Sequence, residues 1–267
     1  MTKFFLFSIL LVANLSACSQ DSLTTRYALG VDSISVVKKC FARCDSNIVF
    51  IQLHEDEATS IEAAEEYLLE NGGFLVQLKH SGTRLLDFEI KKFVYNVDPN
   101  RIFSDKGIKD NLIKLRMYKP EVARAVNRFG KKILEKYIND KNLVVALHNN
   151  TDKKFSILSY TKGQVEAPNA SAFYINQEMD ADDFILTTDT SIYRRIKDKN
   201  INVVLQSKNA KDDGSLSIYT HRKKIPYINI EAEHGHFEEQ KLMLYAIKDI
   251  IESYSEIVDL NYIGNNK

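Results

Sequence analysis

The chain has little of what marks several large protein classes. Its 267 residues hold four prolines and ten glycines, and no Pro-rich linker, low-complexity tract or internal repeat interrupts them, which argues against a repeat array or a string of tethered modules. Acidic and basic residues balance at 36 each, and no basic run exceeds Arg222-Lys223-Lys224, so a nucleic-acid partner has no electrostatic footprint here. No apolar stretch reaches the ~20 residues of a membrane-spanning helix. His54-Glu55 does not open an H-E-x-x-H helix, because position 58 is Ala, and no G-x-S-x-G nucleophile turn occurs. The acidic group from Asp180 to Asp183 lacks EF-hand spacing and reads as a solvated turn.

What is present begins at the N-terminus. Lys3 precedes an apolar run from Phe4 to Val12, followed by Leu15-Ser16-Ala17-Cys18, the pattern of a signal peptide ending in a bacterial lipobox. The expected organisation is a signal peptide over 1–17, a lipidated N-terminus and tether over 18–46, and one domain over 47–267. Lipid on Cys18 would anchor the protein to a membrane while the domain stays soluble. Ser19 in place of Asp points to the periplasmic side of the outer membrane in a Gram-negative host. An ordinary secretory signal, with Cys18 incidental, is the alternative. Cys40 and Cys44 remain, and a C-x3-C pair in an oxidising compartment either bridges or stays as two thiols.

From residue 47 onward the pattern alternates strand and helix. Asn47 to Leu53 is a buried strand candidate, and Thr59-Ser60-Ile61-Glu62 supplies a capping box for a helix that Gly72-Gly73 stops. β runs over Phe74–Leu78, Leu85–Ile90 and Phe93–Val97 precede an amphipathic helix over Pro120–Asn139. Leu143 to Leu147 is continuously apolar, as a strand covered on both faces must be. Strands over Phe184–Thr188, Ile201–Gln206 and Tyr227–Ile230, with helices near Ser215–Lys224 and Phe237–Tyr254, complete the chain. The expectation is a single α/β domain with a central, mostly mixed sheet flanked by helices.

Four segments at predicted strand ends carry chemistry, which is where open α/β sheets place their sites. They are His54-Glu55-Asp56-Glu57, Asp98-Pro99-Asn100-Arg101, Leu147-His148-Asn149-Asn150 and Ile230-Glu231-Ala232-Glu233. Taken singly, each has an ordinary reading: a hydrogen-bonded histidine at a strand end, a carboxylate favoured by a helix N-terminus, a turn after Pro99. Taken together, a His-x-x-Glu turn and a distant His supply the three protein ligands that a catalytic zinc requires while leaving one position open.

In order and context these four segments resemble the zinc carboxypeptidase superfamily, in particular its compact branch of succinylglutamate desuccinylase and aspartoacylase. The resemblance covers residues 47 to 240 and implies the fold of that superfamily. It implies one Zn2+ per chain bound by His54, Glu57 and His148, with Asp98 orienting His54 from behind. It further implies Asn100 and Arg101 as the carboxylate-binding pair and Glu231 as general base. Arg84, sixteen residues ahead of Asn100, falls where such enzymes place a carbonyl-polarising Arg. Along Tyr227 to Glu233, period-two alternation puts Glu231 and Glu233 on the same face and cannot choose between them; the resemblance implies a base at the end of the apolar run, which is Glu231. The expected function is a membrane-anchored zinc carboxypeptidase or amidohydrolase acting on a carboxylate-bearing peptide, with a peptidoglycan stem peptide as a candidate given the envelope address. A small-molecule deacylase of N-acyl amino acids is the first alternative, and a non-catalytic peptide-binding envelope lipoprotein the second.

Overall fold

A computed structural model describes residues 20–42, 47–141 and 143–255. The signal peptide, Cys18 and Cys44 lie outside the described residues. Among those described, no helix is long and apolar enough to cross a membrane.

Eleven strands and seven α-helical segments alternate along the described residues. Three central strands are built from the most apolar runs: β3 (Ile48–Gln52), β7 (Leu143–Asn150) and β11 (Tyr227–Glu233). Every residue of β3 and β7 is buried, as a strand with helices on both sides must be. The three lie side by side and parallel, with Phe50 opposite Val145 and Ile228 opposite Val145 from the other side. Around them β1 (Gln20–Leu29), β2 (Asp32–Phe41), β4 (Gly73–Lys79), β8 (Ala170–Tyr174), β9 (Phe184–Thr187) and β10 (Val203–Gln206) complete a nine-stranded mixed sheet in the order β1-β2-β4-β3-β7-β11-β9-β10-β8. The antiparallel pair β5 (Leu86–Ile90) and β6 (Phe93–Val97) forms a small separate sheet.

Alternation along the central strands sorts their side chains into two cores. Leu143, Val145, Leu147, Ile228 and Ile230 pack with Ala64, Tyr67 and Leu68 of α1 (Ala58–Asn71), Ile192 and Ile196 of α4 (Thr190–Asp198), and Met243 and Leu244 of α6 (Phe237–Ala246). On the opposite face Val144, Ala146 and Tyr227 join Ile108 and Leu112 of α2 (Asp105–Lys114), Val126 and Phe129 of α3 (Pro120–Ile133), and Leu216 of α5 (Leu216–Lys223). The result is helices on both faces of one mixed sheet, as the apolar patterning implies.

Three sequence expectations are corrected. The tether expected over 18–46 is not a tether between 20 and 41, where β1 and β2 pair along their whole length and β2 adds to β4 through Ser35 to Phe41. Ile34, Val36 and Phe41 reach the core while most of β1 faces solvent, so the hairpin is an edge with a faint apolar signature. The domain therefore starts at or before residue 20. The capping box over Thr59 to Glu62 does not form, because α1 begins at Ala58 without a side-chain cap and the Thr59 hydroxyl instead accepts Gly235 N at 2.9 Å. The acidic turn at 180–183 is solvated only at its start: Asp180 is exposed, but Asp182 and Asp183 are buried, Asp183 accepting Glu233 N at 3.0 Å and pairing with His236 at 2.9 Å.

Candidate metal centre and cleft

Because β3, β7 and β11 are parallel neighbours, their C-terminal ends open on one edge, and the groups that follow them meet there. His54 follows β3, Glu57 immediately precedes α1, His148 lies within β7, and Glu231 of β11 is in register with His148. The backbone before α1 is fixed by Gln52 Nε2 and Ser60 Oγ, both donating to Glu57 O at 2.8 Å. Asn149 ties the same region to its neighbours, accepting Ser60 N at 2.9 Å and donating to Ala232 O at 3.2 Å. Gln52, Ser60 and Asn149 carry no sequence signal of their own, since a strand-end amide or helix-start hydroxyl is common anywhere.

His54, Glu57 and His148 are all buried, and their donor atoms converge. His54 Nδ1 lies 3.0 Å from Glu57 Oε1, His148 Nδ1 lies 3.0 Å from Glu57 Oε2, and the two Nδ1 atoms are 3.2 Å apart. Bonds of about 2.0–2.1 Å to one tetrahedral centre would set two nitrogen ligands about 3.3 Å apart. Two imidazoles and a carboxylate form a donor set suited to a borderline-soft divalent ion. The cluster therefore fits a metal site. His54 Nε2 meets Asp98 Oδ1 at 2.9 Å, which fixes the ring so that Nδ1 faces the cluster. His148 has no such support: its Nε2 is buried without a hydrogen-bond partner.

The electrostatics follow from this crowding. Burial works against a charged His54, yet Glu57 and Asp98 outweigh it and hold the imidazole at about 9. Burial likewise opposes the charged forms of Glu57 and Asp98, but the histidines beside Glu57, and His54 with Arg101 beside Asp98, keep both carboxyls well below the usual range. Glu231 is displaced the other way. Burial pushes its carboxyl up and Glu57's charge adds to this, while His148 and an Asn229 amide donating at 2.8 Å pull back.

The cluster opens into a cavity of about 450 Å3 that also holds Arg84, Asn100, Arg101, Glu231 and His234. Several of these are engaged by the protein itself. Arg84 Nη1 donates to Glu57 Oε1 at 2.6 Å, so the arginine steadies the carboxylate of the cluster. Arg101 Nη1 lies 3.2 Å from Asp213 Oδ2, a carboxylate that sequence reading passed over because 112 positions separate the two. Asn100 Oδ1 accepts Leu216 N at 2.9 Å, pinning the start of α5. His236 lies with Asp183 and Glu239 in a separate partly exposed group, whereas Glu233 approaches His236 Nε2 at 3.7 Å.

No known family's sequence profile matches this chain, and no curated protein matches it. Among solved structures it is similar to an aspartoacylase family protein of Mesorhizobium loti, 14% identical over 87% of this chain and 69% of that one, with a TM-score of 0.47. It is also similar to a candidate metallopeptidase of Shewanella denitrificans, 12% identical over 87% of this chain and 84% of that one, TM-score 0.43. A candidate carboxypeptidase A of the same species gives 9% identity over 86% and 65% of the two chains, TM-score 0.42.

Proposed function

We propose that the protein is a mononuclear zinc hydrolase of amide bonds, acting on a carboxylate-bearing peptide or N-acyl amino acid. The observation that carries this reading is the buried convergence of His54 Nδ1, His148 Nδ1 and the Glu57 carboxylate at the floor of a polar cavity. Zinc held by these three residues would supply Lewis acidity for a carbonyl and acidify water.

The remaining work falls to the chain's own groups. Asp98 holds His54 in the orientation that presents Nδ1. Glu231, buried beside the cluster with a carboxyl pushed upward, is suited to take a proton from water and hand it to the departing amine. Asn229 keeps the Glu231 carboxylate oriented. Arg101, with Asn100 beside it, receives the substrate carboxylate in exchange for Asp213. Arg84 is the oxyanion donor, and to act there it must share its guanidinium between Glu57 and the substrate.

A peptidoglycan stem peptide is the substrate we favour if the lipobox holds the protein in the envelope; an N-acyl amino acid is the second reading. The test begins with metal analysis of chelator-free protein, expecting one zinc per chain that His54→Ala or His148→Ala removes. A panel of short peptides and N-acyl amino acids, each with free and amidated carboxyl ends, follows. Metal-free wild-type protein, or variants that keep a full equivalent, would refute the assignment.

A further inference from the structure

The inner end of the cavity holds buried polar atoms that the protein does not satisfy. Asn229 of β11 stands opposite Leu186 of β9, and Leu186 stands opposite Val204 of β10. Gln206, two residues beyond Val204, therefore shares the face of Asn229 and Leu186. All three line the cavity. With strands about 4.8 Å apart and Gln206 offset two residues along β10, the α-carbons of the two amides are roughly 12 Å apart on this face, with Leu186 between their strands.

Each amide presents an open atom. Asn229 gives its Nδ2 to Glu231 Oε1, which leaves Oδ1 as an acceptor, buried and without a partner. Gln206 is 6% exposed, and its Nε2 is also buried and unpartnered. Leaving buried amide groups unpaired is costly, so a pocket that keeps two of them is built for something that pairs with both. The cavity wall carries charges of both signs, with the Glu231 carboxylate beside Asn229 and Arg101 paired with Asp213. Ser215 and Ser217, whose hydroxyls lie 3.0 Å apart, continue the polar lining.

We propose that this end of the cavity is a side-chain pocket for an uncharged hydrogen-bonding group, a carboxamide or a hydroxyl, with Gln206 and Asn229 as its specificity-determining residues. The inference rests on the hydrolase reading and names the substrate class of the same site. An apolar side chain would strand both amides, whereas a carboxamide or hydroxyl can donate to one and accept from the other. A site of this kind discriminates strongly against an analogue that lacks the hydrogen-bonding group, because its own polar atoms are then left unpaired.

The test uses the zinc-supplemented protein and a series of N-acetyl amino acids and alanyl dipeptides whose released residue is Gln, Ser, Met, Leu, Glu or Lys, in both stereochemical forms. Glutamine should exceed its near-isostere methionine in kcat/KM by on the order of 10²-fold. Gln206→Leu should collapse that ratio toward unity, with methionine turnover rising, while its thermal melting confirms an intact fold. Calorimetry of free glutamine against free methionine repeats the comparison without turnover. Turnover with no preference, a ratio unmoved by Gln206→Leu, or equal or undetectable binding of both amino acids would overturn the pocket. Absence of turnover across the whole series, with glutamine still bound selectively, would overturn the hydrolase reading and leave the pocket standing.

Discussion

The metal-free protein should lose stability as the pH rises from neutral, and zinc should reverse that trend. His54 is held at about 9 against an ordinary 6.5. Its contribution is therefore complete below about 6.5 and is lost as the pH climbs through 9. The difference is worth on the order of 3 kcal/mol, which in a domain of this size lowers Tm by roughly 6–12 °C. Burial opposes the charged ring, but Glu57 against Nδ1 and Asp98 against Nε2 both favour it, and the Nδ1 proton sits at the spot where a metal would bind. Metal and proton compete for that lone pair, so zinc affinity should rise about tenfold per pH unit between 7 and 9, one proton being displaced. The assay is calorimetric melting of chelator-treated protein at pH 7 and pH 9.5, for wild type and His54→Ala, with and without added zinc. The difference between the two proteins isolates His54 from the lysines and tyrosines that titrate in the same range. A wild-type Tm that is flat with pH, or an equal slope in His54→Ala, would refute the coupling.

Three further outcomes bear on the site and the anchor. Glu231→Gln should retain zinc yet lower kcat by on the order of 10²–10⁴, whereas Glu233→Gln should cost far less because Glu233 approaches His236 and does not line the cavity; the opposite ranking would move the base to Glu233. Asp213→Asn should free Arg101 and lower KM for substrates with a free carboxylate, and Arg101→Ala should raise it; unchanged KM in both would remove carboxylate recognition from this pair. Cys18→Ser should abolish fatty-acid labelling and release the protein from membranes, and wild-type labelling in that variant would dismiss the lipobox.

The parts legible in the sequence are those in which one local run both makes the element and ends on the functional group. Leu143 to Leu147 can only be a covered strand, and it delivers His148 at its end; Tyr227 to Ile230 does the same for Glu231. What pairs across the sheet is not visible in such runs. Arg101 reads as an open anion site until Asp213, far away in sequence, is seen against it. Gln206, at the end of β10, and Asn229, within β11, look like ordinary strand amides, and only the order β11-β9-β10 places them on one face. The β1–β2 hairpin stays hidden for a different reason: as an edge it buries few side chains, so its alternation is faint although its backbone pairing is continuous. In α2 the apolar stripe is short, Ile108 and Leu112 being its buried large side chains. Its role comes through Gly107, whose α-carbon lies against Gly214, a contact between backbones that no hydropathy pattern records.

That backbone contact gives a test of how firmly the fold holds the cleft. Gly214 has φ +81°, and a methyl group added there would lie 2.5 Å from Arg101 O and 2.7 Å from Gly107 Cα. Both obstacles are backbone, and the loop is fastened around them: Phe103 N donates to Gly214 O at 3.0 Å, Gly214 N to Asp212 Oδ1 at 3.0 Å, and Ser104 Oγ to Asp212 Oδ1 at 2.7 Å. Neither side can yield cheaply. Gly163 and Gly235 also have positive φ, at 90° and 91°, but a methyl group there meets nothing within 4 Å. Gly163→Ala should therefore cost only the left-handed strain, about 1–2 kcal/mol. Gly214→Ala should cost that plus an overpacking penalty of about 1–3 kcal/mol, and because Asp213 is the adjacent residue the displaced loop should also loosen its grip on Arg101. Denaturant melts of the two variants, read beside KM for a carboxylate-bearing substrate, separate the contributions: equal destabilisation would mean that strain alone matters. A Gly214→Ala protein with wild-type stability and KM would show that the contact between α2 and this loop does not position the cleft.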